Sequence, residues 1–125
     1  MEFKFYICPK CKKIIAVVKD TPVPTMCCGE KMVEIVPNTS DGAREKHVPV
    51  IKVEGTKVTV TVGEVMHPMT EAHYIEWIGI QTKNCNQRKV LLPSDKPEAV
   101  FYIAEDDEVK CAFAYCNLHS LFMAK

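Results

Sequence analysis

The sequence has 125 residues, 47% of them hydrophobic, which is enough for one sizeable core, or for one core with a small appended module. Sixteen basic residues balance sixteen acidic ones, which excludes bulk nucleic-acid binding because that needs a clear basic excess. The apolar run 99–104 is six residues long and too short to span a bilayer, and residues 1–5 lack the basic start and long apolar stretch of a signal peptide. The expectation is a cytoplasmic protein with no membrane partner.

In chain order, the first 36 residues alternate short apolar runs, 3–7, 14–18 and 32–36, with cysteines. Each run suits a short strand and none suits a helix, and so little apolar material cannot fold alone. Cys8 and Cys11 form a Cys-x-x-Cys pair, and fifteen residues separate it from Cys27, Cys28 and Gly29. The first pair fits a knuckle whose two sulfurs converge on one ion, so that metal binding substitutes for the missing core. Adjacent side chains on a regular strand point to opposite faces, so Cys27 and Cys28 share a metal only if the backbone turns there, and Gly29 permits such a turn. From spacing alone a closed zinc knuckle and a four-thiolate iron both remain open, with zinc favoured. The adjacent cysteines resemble the desulforedoxin type of iron centre, which reverses that preference.

Residues 37–42, Pro-Asn-Thr-Ser-Asp-Gly, are turn formers and read as a linker between a domain 1–36 and a domain 43–125. Beyond it, the segments 48–53, 57–62, 74–81, 88–92, 100–104 and 109–115 have strand length with turn signals between them, which predicts an antiparallel β-sandwich and a mainly β protein. The strict alternation of 57–62 puts Val58, Val60 and Val62 on a buried face and Lys57, Thr59 and Thr61 on the other. Trp77 and Phe101 read as core residues of the sandwich.

All four histidines, His47, His67, His73 and His119, fall in this second segment, and Cys116 lies three residues before the last of them. A lone histidine is more often a surface or satisfied core residue than a ligand, but loops at one end of a sandwich can bring several together. Four imidazoles and a thiolate exceed the tetrahedron of structural zinc and the three ligands of catalytic zinc, and suit an octahedral ion with one position vacant. A thiolate opposite that position adds electron density, which matters most for a redox metal.

Taken together, Cys-x-x-Cys with Cys-Cys-Gly, Glu-Lys-His-Val-Pro-Val, His-Pro-Met with a following His and Trp-Ile, and Cys-Asn-Leu-His resemble desulfoferrodoxin, the two-iron class of superoxide reductase, in order along the whole chain. The resemblance implies a desulforedoxin-like iron domain in which Cys8, Cys11, Cys27 and Cys28 hold one iron. It further implies an immunoglobulin-like sandwich in which His47, His67, His73, His119 and Cys116 hold a second, catalytic iron. It implies one-electron reduction of superoxide to hydrogen peroxide, re-reduction by rubredoxin or a similar small donor, and a homodimer. Lys46, next to His47, is the candidate for attracting the superoxide anion, and Glu45 for occupying the sixth position in the ferric state. Ser120 and Phe122 depart from the glycine and tryptophan that the family often has there, which touches packing and not ligation. Cys85 and Cys111 are left over, one as a loop thiol and one as a strand residue. Two rival readings are a non-enzymatic electron carrier that uses the four-cysteine iron, and a zinc-ribbon interaction module fused to a sandwich.

Overall fold

The computed structural model describes residues 3–125, and the chain divides into two compact units, Met1–Val36 and Pro37–Lys125. In the first unit, β1 (Phe5–Ile7), β2 (Ile14–Ala16) and β5 (Val33–Glu34) form a small antiparallel sheet in the order β2-β1-β5. A separate hairpin joins β3 (Met26–Cys27) to β4 (Glu30–Lys31). Among the described residues of this unit only Phe5, Cys8, Met32 and Ile35 are buried and apolar. That is far too little burial to offset the conformational entropy of 36 residues.

The second unit is a β-sandwich entered through a single helical turn, α1 (Arg44–His47). One sheet has the order β10-β7-β6, from β6 (Pro49–Glu54), β7 (Lys57–Val62) and β10 (Glu98–Tyr102). The other has the order β12-β11-β8-β9, from β8 (Ile75–Thr82), β9 (Asn86–Val90), β11 (Val109–Cys116) and β12 (Ser120–Ala124). Every pairing is antiparallel. Val58, Val60 and Val62 are buried as their alternation requires, and they meet Ile78, Ile80, Ala112, Ala114 and Phe101 between the sheets.

Three differences from the sequence expectation have local causes. Trp77 is not in this core: it lies on the opposite face of β8 from Ile78 and Ile80 and stacks on Tyr115, the ring centroids 5.8 Å apart and the planes 4° apart. Strand β12 was not expected, because the turn before it carries no glycine or proline and its left-handed position is filled by Ser120, at φ 68°. Residues 37–42 belong to the second unit and are tied down within it. Asn38 donates from its backbone to Leu121 O (2.9 Å) and from Nδ2 to Met123 O (3.1 Å), and its Oδ1 accepts from Met123 N (2.9 Å). Among the described residues no helix is long and apolar enough to cross a membrane.

The register fixes where loops can meet. Pro49 pairs with Val62, Ile75 with Cys116, and Cys116 with Ser120. The start of β6, the end of β7, the start of β8 and the turn between β11 and β12 therefore lie at one end of the sandwich. His47, His67, His73, Cys116 and His119 all belong to that end.

Candidate metal centres

In the first unit the four cysteines converge as read from the sequence, their sulfurs all within 4.8 Å of one another. Two turns do this. In the first, Cys8 N donates to Lys13 O and Lys12 N to Cys8 O, while Cys11 N points at Cys8 Sγ (3.4 Å) and Lys12 takes a left-handed φ of 67° to close the loop. In the second, Cys28 (φ 53°) and Gly29 (φ 75°) are the two left-handed residues of the β3–β4 hairpin, the conformation that two-residue hairpins favour. This is how two adjacent cysteines come to face one point. Gly29 has open space around it, so its role is conformational and not steric.

Four thiolates about 2.3 Å from one ion stand about 3.8 Å apart at the corners of a tetrahedron. Cys11 Sγ and Cys27 Sγ are 3.7 Å apart and Cys27 Sγ and Cys28 Sγ 3.9 Å, whereas a disulfide would need about 2.05 Å. Cys8, Cys11, Cys27 and Cys28 are all free thiols. Without a cation Cys8 and Cys27 are driven apart: the backbone N–H of Cys11 pulls Cys8 down to about 6, while side-chain hydrogen bonds with Cys8 and Cys11 push Cys27 up to about 12. A bound cation removes that conflict.

The second cluster is built from lone pairs. His47 and His67 are both 2% exposed, and each holds its Nδ1 on a backbone carbonyl, Ala43 O at 2.6 Å and Pro68 O at 2.7 Å. Those contacts assign the proton to Nδ1 in both rings and leave each Nε2 as a lone pair. The two Nε2 atoms nevertheless face one another at 3.1 Å. Two lone pairs at that distance repel unless a cation lies between them.

His73 adds a third nitrogen, since its Nε2 is buried and has no hydrogen-bond partner. His47, His67, His73 and Cys116 offer donor atoms that all lie within 4.8 Å of one another. His119 joins through Nδ1, 3.1 Å from His47 Nε2 and 3.9 Å from Cys116 Sγ. All five residues expected from the sequence are therefore brought together.

The arrangement of the rings distinguishes a square from a tetrahedron. In the order His47, His67, His73, His119, neighbouring ring centroids are 4.6, 4.7, 5.2 and 4.8 Å apart and nearly perpendicular, while His47 and His73, across the ring, are 6.1 Å apart. A tetrahedron has no such longer diagonal. Imidazole nitrogens about 2.1 Å from an ion are about 3.0 Å apart at adjacent corners of an octahedron and about 3.4 Å apart in a tetrahedron, and both measured N···N distances are 3.1 Å. Four imidazoles whose centroids form a square, with a sulfur beside them, suit a metal of octahedral preference.

Burial shapes the protonation of this cluster. Desolvation holds His67 down to about 4 and lowers His47 and His73, so these three imidazoles stay neutral and able to bind metal. It also pushes the Cys116 thiol up, against the pull of the Leu118 and His119 backbone N–H groups. A metal is needed to hold that sulfur as thiolate in the metal-binding form.

Lys46 is exposed beside His47, and its charge contributes to lowering both His47 and His73. Glu45 is also exposed and stands outside the converging donor set. Cys85 sits in an exposed turn and Cys111 is buried on β11 opposite Gln81, and neither belongs to a donor cluster.

Several residues that hold this end together had no role assigned to them from the sequence. Asn117, between Cys116 and His119, accepts from Tyr74 N at Oδ1 (3.0 Å) and donates to Ala72 O from Nδ2 (3.1 Å), so its amide brackets His73 from the neighbouring loop. Phe122 stacks on the His47 ring at 4.8 Å, which places this departure from the familiar pattern in packing against a donor. Gly63, at φ 87°, lies so close to the Lys46 and Glu45 backbone that a Cβ would stand 2.7 Å from Lys46 Cα. Asparagine, phenylalanine and glycine at such positions look ordinary until the partners are known.

Residues 39–125 match the family model described as Desulfoferrodoxin. The chain belongs to the desulfoferrodoxin family. It is 45% identical over 119 residues to a desulfoferrodoxin homolog of Archaeoglobus fulgidus, covering 95% of this chain and 94% of that one. It is 44% identical over 124 residues to the desulfoferrodoxin of Nitratidesulfovibrio vulgaris, covering 99% and 97%. In structure it is similar to the superoxide reductase of Treponema pallidum, with a TM-score of 0.85, 34% identity and complete coverage of both chains. The desulfoferrodoxin fold thus comes with the donor sets of two iron centres, one of four cysteines and one of histidines and cysteine.

Proposed function

We propose that this protein is a superoxide reductase, with His47, His67, His73, His119 and Cys116 as the ligands of its catalytic iron and Cys8, Cys11, Cys27 and Cys28 as the ligands of a second iron. The observation that carries the reading is the pair of lone-pair nitrogens, His47 Nε2 and His67 Nε2, held 3.1 Å apart by hydrogen bonds on their far sides. The relatives named superoxide reductase support the substrate, and the number and kind of donors support the chemistry.

These residues would hold a ferrous ion, which would supply the one electron that, with two protons, reduces superoxide to hydrogen peroxide with no dioxygen released. The chain's own residues set the conditions for that step. Ala43 O and Pro68 O fix the tautomers of His47 and His67, so neither ring has to lose a proton before metal binds. Burial of Cys116 beside the imidazoles excludes water from the sulfur, whose charge density favours electron donation. Lys46 supplies an exposed positive charge that draws an anion toward the centre: opposite charges about 4 Å apart at an effective dielectric of 20 gain about 4 kcal/mol, before solvent screening reduces it. An external donor of the rubredoxin type returns the electron. Glu45, exposed beside Lys46, would be the residue to bind such an ion in its oxidised state.

The deciding experiment is anaerobic purification with iron quantified, followed by superoxide consumption scored for peroxide and for oxygen. Peroxide without oxygen, lost in Cys116→Ser, is expected. Oxygen evolved in step with peroxide, or full activity in Cys116→Ser, would overturn the proposal. In the same assay Lys46→Ala is expected to slow the second-order rate by about tenfold or less and to flatten its dependence on ionic strength.

A further inference from the structure

We propose that residues 38–42 form a strap that sets the geometry of the second metal centre, with Gly42 as a positioning residue pressed against two of its ligands. The proposal rests on the reading of that cluster as a metal centre, and it assigns a role to a segment whose sequence reads as a linker.

Gly42 is buried, and its φ lies outside the left-handed region, so its backbone does not require glycine. Space does. A Cβ built on Gly42 would stand 2.7 Å from His119 Cβ, 2.9 Å from His119 Cγ and 3.2 Å from His47 Cε1. These are not the far ends of flexible side chains. His119 Cβ and Cγ are the root of the side chain, and His47 Cε1 is the ring carbon between the nitrogen held by Ala43 O and the nitrogen aimed at the metal.

Neither wall can yield without disturbing the donors. His119 lies in the turn that Asn117 ties to Tyr74 N and Ala72 O, so pushing it away also moves the loop of His73. His47 is backed by the stacked ring of Phe122. The strap itself is held by the three hydrogen bonds of Asn38 to Leu121 and Met123, on the strand that begins directly after His119. Asn38 adopts φ 63°, a left-handed conformation that asparagine tolerates better than most residues. The strap thus grips β12 at Asn38 and reaches the His47–His119 pair at Gly42, whose nitrogens are 3.1 Å apart.

The test uses the full chain, stripped of metal anaerobically and titrated with Co²⁺, with each site read by its own thiolate-to-cobalt absorption. The four-cysteine site then serves as an internal control in the same molecule. Gly42→Ala is expected to leave the four-cysteine site unchanged, to weaken the histidine site about 10-fold or more and to shift its absorption band. Gly55→Ala, at a left-handed glycine (φ 63°) in the turn between β6 and β7 with nothing within 4 Å, strains the backbone there and is expected to lower the melting temperature while matching wild type at both sites. Asn38→Ala adds no atoms and is expected to weaken the histidine site several-fold. Unchanged affinity and band position at the histidine site in Gly42→Ala would overturn the proposal, as would equal weakening by Gly55→Ala. If Gly42→Ala does not fold, Asn38→Ala decides: an unaltered histidine site would overturn the strap. Failure of the wild-type chain to bind Co²⁺ there would instead overturn the metal reading beneath it.

Discussion

The four-cysteine centre is made by two turns with little behind them, whereas the histidine centre is made by the end of a sandwich. In the first, Cys11 and Cys28 are exposed, and besides Cys8 itself three buried apolar residues, Phe5, Met32 and Ile35, form the surrounding core among the described residues. In the second, Cys116, His47 and His67 are buried, and the strands that carry the donors are ordered by a core extending through both sheets. The first centre therefore depends on its ion for structure. The second has a scaffold that exists before the ion arrives, and it can spend that rigidity on fixing tautomers and holding imidazoles in a square. A preformed site of buried imidazoles suits turnover, and a closed tetrahedron of thiolates suits stability or electron storage.

Removing the metals is the strongest way to break this comparison. The first unit is expected to unfold outright on chelation, because structural metal sites of this kind supply about 10 kcal/mol or more of folding free energy, while the sandwich keeps its sheets. Amide exchange mapped along the chelated chain checks this, and retained protection in the first 36 residues would contradict it. Cys8→Ser is expected to reproduce the same selective loss.

Acid should act on the metal-free sandwich in a definite direction. Buried His67 takes a proton in the folded chain only at about 4, against an ordinary 6.5, with His47 and His73 lowered as well. The unfolded chain binds those protons first, so this contribution is complete above 6.5 and is lost as the pH falls toward 4. The melting temperature of the chelated protein is expected to drop between pH 7 and pH 4.5. A flat profile over that range would mean the histidine cluster is more open to water than its burial indicates.

The smallest effect expected is at Ser120. A left-handed serine costs roughly 1–2 kcal/mol, and glycine's greater freedom in the unfolded chain returns about 0.5–1 of that. Ser120→Gly should then stabilise the sandwich by up to about 1 kcal/mol, a rise of a few degrees in melting temperature with the four-cysteine absorption unchanged. A lower melting temperature would show that the serine hydroxyl matters more than the backbone strain.

The donors themselves were legible in the sequence because metal chemistry restricts them to few residue types. Cysteine pairs at short spacing and four histidines with a cysteine leave little else to bind two ions. The valine alternation of β7 was legible too, since a half-buried strand admits few patterns. What the sequence could not decide was which atom of each imidazole faces inward, because that depends on carbonyls at Ala43 and Pro68 whose direction only the folded backbone sets. Nor could it show that Asn117 brackets His73 across 43 residues, or that Gly42 must lack a side chain, since both follow from a close approach between distant segments. Ligand identity is local chemistry and can be read from residue types. The square of imidazoles, and the contacts that hold it, are long-range packing and exist only once the sheets have closed.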